Sequence, residues 1–123
     1  MDLQMPDDEF DALVQEAIDA IPKQALDMMD NVVFFIEDEY EPLPSEPENT
    51  EILGIYDGVA LTERDQGWEA GALPDRITIF KNPTLRACQT REDVVREIKI
   101  TVMHEVAHHF GIDDARLHEL GWS

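Results

Sequence analysis

The chain has a single cysteine, Cys88, in 123 residues. One thiol excludes an internal disulfide and a four-thiolate zinc site, and a reducing compartment is the expected setting. Positive charge is scarce. Nine Lys and Arg stand against 28 Asp and Glu, a formal net charge of -19. A field of that sign repels nucleic acid and anionic lipid, which are both polyanions. Basic peptides, metal ions and cationic partners remain open. No hydrophobic run approaches the roughly 20 residues needed to span a bilayer. The acidic stretch from Met1 to Glu9 has neither the basic start nor the apolar centre of a secretory signal. The expected protein is cytoplasmic and soluble, a monomer or weak oligomer.

What is present is enough for a core. The 43% hydrophobic content and the length predict one globular domain over residues 1–123, without internal repeats. Phe10, Leu13, Val14, Ala17, Ile18 and Ile21 recur at three- and four-residue spacing and predict an N-terminal helix within residues 7–30. Pro22 breaks or re-aims it, so that Lys23–Met29 forms a further turn. Val32-Val33-Phe34-Phe35-Ile36 has the composition of a buried strand. Residues 37–51 hold seven acids with Pro42, Pro44 and Pro47, and predict a solvated acidic loop. A cation-attracting rim to a cleft is the other reading of that loop.

Ile52–Tyr56, Asp57-Gly58 and Val59–Thr62 read as a hairpin, because Asp-Gly is a favoured two-residue turn between strands. Residues 67–74 are rich in turn formers. Arg76-Ile77-Thr78-Ile79-Phe80 alternates polar and apolar, as a strand with one buried face does, and Asn82-Pro83 is expected to end it. Thr90-Arg91-Glu92-Asp93 matches a capping box. The helix it starts continues through Val94, Val95, Ile98, Val102, Val106 and Phe110, with Gly111 as its stop. A short last helix is expected from Asp114 to Leu120.

The chemistry is concentrated in Met103-His104-Glu105-Val106-Ala107-His108-His109-Phe110-Gly111-Ile112-Asp113-Asp114. From this composition, a chance His-Glu-x-x-His has a probability of roughly one to two per cent. On a helix, residues i and i+4 share a face with Cβ atoms about 5–6 Å apart. His104 and His108 are thereby candidate ligands for one Zn²⁺ per chain. Glu105 follows the first ligand and is the candidate general base, taking a proton from water activated by the metal. A catalytic zinc typically has three protein ligands and water. Gly111 can turn the chain back sharply, which makes Asp114 the candidate third ligand, with Asp113 and Glu119 as alternatives. His109 points about 100° around the helix from His108 and reads as an outer-shell or surface residue, and His118 as a surface one. Cys88 is expected in or near the core. Tyr56 and Arg76 could polarise a carbonyl or bind a substrate terminus; a half-buried strand aromatic and a solvated Arg are the plainer readings.

The frame His-Glu-x-x-His-x-x-Gly-x-x-Asp resembles the metzincin signature, with Asp where the third ligand is usually His. Over roughly residues 32–121 the chain is similar to a small bacterial family of acidic zincin-like metallopeptidases. Gly54-Ile55-Tyr56-Asp57-Gly58, Leu61-Thr62-Glu63-Arg64 and Leu73-Pro74-Asp75-Arg76-Ile77-Thr78-Ile79-Phe80 carry this likeness beside the motif itself. The resemblance implies a compact α+β zincin-like domain: a small mixed sheet, an N-terminal helix and a C-terminal zinc-binding helix. It implies His104 and His108 as ligands, Glu105 as base and Asp114 as third ligand. The expected activity is zinc-dependent hydrolysis of a peptide or protein substrate, with basic substrates favoured by charge. The expected sheet has three or four strands, and either Arg76–Phe80 or Val59–Thr62 forms the edge above the metal. The alternatives are a metal-binding protein without turnover and an acidic interaction module that keeps the motif helix.

Overall fold

In the computed structural model, residues 3–63, 74–112 and 115 are described. The helical spacing near the N-terminus forms α1 (Asp7–Asp19), which buries Phe10, Leu13, Val14 and Ala17. Three acids in its first turn complement the positive end of the helix dipole. Pro22 lies just outside a second short helix, α2 (Lys23–Met28), so the expected break is real. β1 (Val32–Glu37) follows, one residue longer than its apolar run.

After the acidic segment comes β2 (Gly54–Asp57). The expected partner strand over Val59–Thr62 does not form; Leu61–Glu63 is a single 3-10 turn. The backbone N–H of Val59 donates to Asp75 Oδ1 at 3.3 Å rather than to β2. β3 (Asp75–Phe80) then enters the sheet centre. It runs parallel to β1 and antiparallel to β2, giving the order β1-β3-β2. The architecture is therefore α+β with a small mixed sheet. Phe34, Ile77 and Tyr56 stand side by side across the strands, as do Ile36, Ile79 and Gly54. Both rows face the core, because side chains alternate along each strand. On the opposite face the Arg76 guanidinium lies 4.8 Å over the ring of Phe35.

β3 stops at Phe80, just before Asn82-Pro83, as expected. The chain turns directly into α3 (Lys81–Arg86). Pro83 is the third residue of that helix, where an N–H would have no partner within the helix. Lys81 pairs with Asp7 and ties α3 to α1. Arg86 pairs with Glu39 and Glu51 and pins both ends of the acidic segment. The Arg86 guanidinium holds the Glu39 carboxyl below the usual carboxylate range, and the Asn82 amide adds to this.

α4 (Arg91–His109) is the principal helix. Asp93 N–H donates to Thr90 Oγ1 at 3.1 Å and Thr90 N–H donates to Asp93 Oδ2 at 3.2 Å, so the capping box is complete. The helix ends in a Schellman motif. Gly111 N–H donates to His108 O at 2.9 Å and Ile112 N–H to Ala107 O at 3.0 Å. Gly111 has φ of 85°, as this motif requires. α4 lies between α1 and the inner face of the sheet, where Val94, Ile98 and Val102 are fully buried. Cys88 is buried beside this core, and burial pushes its thiol pKa up, with Glu97 and Asp93 adding to the effect. Among the described residues no helix is long and apolar enough to cross a membrane.

Candidate active site

Because α4 is regular through residues 104–109, the motif takes the geometry its spacing requires. The rings of His104 and His108 face each other with centroids 4.7 Å apart and planes at 77°. Both are partly exposed, while Glu105, on the side of the helix nearer the core, is buried. His104, Glu105 and His108 line a cleft of about 520 Å³ together with Gly54, Ile55 and Tyr56 of β2.

The cleft wall lies close to the helix for a local reason. A Cβ on Gly54 would stand 2.5 Å from Thr101 Cγ2, so only glycine lets β2 approach α4 this nearly. The wall is the edge of the sheet, which corrects both expected edges. β3 is central and buried at five of its six positions, and Val59–Thr62 is not a strand; β2 is the edge beside the motif.

Behind the cleft is a buried polar cluster that motif reasoning missed. Asp75, at the start of β3, is 1% exposed, and His109 is fully buried. The Asp30 backbone N–H donates to His109 Nε2 at 3.2 Å, which leaves the ring proton on Nδ1. Nδ1 then donates to Asp75 Oδ2 at 2.9 Å. The Tyr56 hydroxyl donates to the same oxygen. His109 is thus not a surface residue; it turns inward and anchors the last turn of α4. The signal for Asp75 was available, since it precedes Ile77 and Ile79 at two-residue spacing and so belongs to the inner face of β3. The partners of Asp75 had no such signal.

The other sequence candidates divide. Tyr56 lines the cleft, with its hydroxyl engaged by Asp75. Arg76 is on the opposite face of the sheet and exposed. No residue of the acidic segment lines the cleft, so the rim reading of that loop gains no support. Asp114, Asp113, Glu119 and His118 lie outside the described residues, as does the expected last helix. Among the described residues, no three His, Cys, Asp or Glu side chains form a group able to hold a metal.

The two imidazoles nevertheless fit a zinc ion. They are nitrogen donors of the type zinc takes, one turn apart on one helix, and they open onto a cleft rather than into packed side chains. Gly111, at φ of 85°, turns the chain immediately after them.

Comparison with known proteins agrees with this geometry. A family model described as zincin-like metallopeptidase matches residues 29–122. No curated protein matches the chain. A solved structure, a conserved hypothetical protein from Thermus thermophilus, is similar with a TM-score of 0.55 and 21% identity over 93% of this chain and 95% of that one. At that identity the likeness is one of fold. A family model spanning most of the chain, over a cleft that holds the histidines and glutamate of a zinc motif, places the chain in the zincin-like metallopeptidase family.

Proposed function

We propose that the protein is a zinc-dependent peptidase that hydrolyses peptide bonds in the cleft between α4 and β2. One observation carries the reading: paired imidazoles 4.7 Å apart, with Glu105 beside them, open onto a cleft walled by an edge strand. His104 and His108 would hold the zinc ion, with Asp114 as third ligand and Asp113 or Glu119 as its alternatives. When bound, the ion supplies Lewis-acid polarisation of the scissile carbonyl and lowers the pKa of water.

The remaining work falls to the chain's own groups. The outer edge of β2 offers main-chain donors and acceptors to an extended peptide, which adds as a further strand. Glu105 accepts a proton from the attacking water as its oxygen bonds to the carbonyl carbon. Glu105 then gives that proton to the leaving nitrogen as the C–N bond breaks. A carboxylic acid and an amine result, and Glu105 returns to its starting state. Its burial shields this carboxylate from bulk water, which strengthens its electrostatic interactions in the cleft. The net charge of -19 favours cationic peptides in a cytoplasmic setting and disfavours nucleic acid and membrane surfaces as partners.

The test is Glu105→Gln. Elemental analysis should show zinc retained, and hydrolysis of a mixed peptide pool should fall at least about a hundredfold, the usual scale for losing a general base. Activity equal to that of the unaltered protein would remove the assignment.

A further inference from the structure

A smaller cavity, of about 190 Å³, opens off the main cleft. The two share Gly54, His104 and Glu105, so they form one groove between α4 and the β2 side. Beyond the shared residues the smaller cavity is walled by Leu53, Ile100, Thr101 and Glu97. Helix geometry puts these groups in line. Glu97, Thr101, His104 and His108 follow one another at four-, three- and four-residue spacing, which keeps them on one stripe of α4. Seven residues separate Glu97 from His104, a rise of about 10 Å along the axis.

Glu97 is half-buried, and no ion pair engages it among the described residues. Among the described residues, the arginines of α3 and α4 are committed elsewhere. Arg96 pairs with Asp93, Arg91 with Glu9, and Arg86 with Glu39 and Glu51. Apart from Glu105, Glu97 is the sole carboxylate lining either cavity among the described residues.

We infer that this side cavity is a specificity subsite for one cationic side chain, Lys or Arg, of a bound peptide, with Glu97 as its counter-charge. The inference rests on the peptide-binding reading of the main cleft. A Lys or Arg stem is apolar and its head is charged. Leu53 and Ile100 suit the stem, and Glu97 suits the head. The volume admits one side chain rather than a second length of backbone. An extended peptide along β2 advances about 3.3 Å per residue. A long side chain from a residue one or two places from the bond held beside His104 therefore reaches Glu97. The overall negative charge attracts cations to the whole molecule without choosing a position; Glu97 makes the choice local.

The probe is a set of fluorescein-labelled alanine-based decapeptides carrying one Lys, one norleucine or one Glu at each position in turn. Binding is read by anisotropy on the full chain with Glu105→Gln and one equivalent of zinc, and cleavage by mass spectrometry on the zinc-loaded chain with Glu105 intact. At one position Lys should bind about five- to tenfold more tightly than norleucine, the scale of a partly enclosed charge pair. Adding Glu97→Gln should abolish that difference, and Glu97→Lys should transfer the preference to Glu. Glu48→Gln, in the acidic segment away from both cavities, should leave it intact. A Lys preference that survives Glu97→Gln, or no preference at any position, overturns the subsite. Position-specific Lys binding without cleavage of any peptide leaves the subsite standing and removes the peptidase reading. Cleavage without Glu97-dependent selectivity does the reverse.

Discussion

His109 Nδ1 donates to Asp75 Oδ2 across 2.9 Å, joining the last turn of the motif helix to the first residue of the central strand. The two residues are 34 positions apart in sequence. Their bond lies on the face of α4 that also buries Val94, Ile98 and Val102, and it holds the same rotation of the helix. With the imidazole of His109 held in the core, His108 and His104 are turned outward to the cleft. Tyr56 adds its hydroxyl to the same carboxylate, so the edge strand and the motif helix are fixed to one buried group.

Removing these partners should cost stability in a definite order. His109→Ala leaves a cavity and takes a donor from a buried carboxylate, and should lower stability by about 3 kcal/mol. Tyr56→Phe removes one hydroxyl and keeps the ring, and should cost about 1–2 kcal/mol. Urea unfolding of both variants measures the order; the reverse order would contradict the central place of His109. Nitrogen NMR of the ring should show the proton on Nδ1.

Gly111→Ala should be among the most damaging changes at the cleft mouth. The positive φ alone costs an L residue about 1–2 kcal/mol, and a Cβ there would overlap the side chain of Thr62. Combining Gly111→Ala with Thr62→Gly removes the overlap and leaves the torsional cost. The double variant should therefore melt above the Gly111→Ala protein. Equal melting temperatures would show that the contact with Thr62 carries no weight.

Gly54 makes a parallel case on the other wall. Gly54→Ala drives a methyl against Thr101 Cγ2, 2.5 Å from the ideal Cβ position. Thr101→Ser deletes that methyl. A double-mutant cycle should give a favourable coupling of about 0.5–3 kcal/mol between the two changes. Zero coupling would mean that β2 moves away from α4 at no cost.

The capping box predicts both a mutation effect and a pH effect. Thr90→Ala should cost about 1 kcal/mol, as loss of a cap oxygen does. The Gln89 backbone N–H, with Arg96 next in weight, holds the Asp93 carboxyl below its ordinary value of 3.8. A lowered folded-state value stabilises the protein above that ordinary pH, and the gain is lost as pH falls through the folded value. Acid unfolding of Asp93→Asn should therefore show a shallower loss of stability below about pH 4. An unchanged acid limb would assign the loss to other carboxylates.

What could be read from the sequence was local. The capping box, the helix it starts, the glycine stop and the pairing of His104 with His108 all depend on contacts within about five residues. Helix geometry fixes those contacts wherever the helix lies. The alternation in β3 also marked its inner face. Tertiary structure decided the rest. Asp57-Gly58 carried a turn signal, yet Val59 N–H bonds to the distant Asp75, no strand follows, and β2 is left as the edge. α3 formed against the core from a segment where the sequence marked only the end of β3. His109 became an anchor only because Asp30, Tyr56 and Asp75 met it from separate elements. Burying that polar ring requires partners on its nitrogens, and those partners come from distant parts of the chain that only the packed fold brings together.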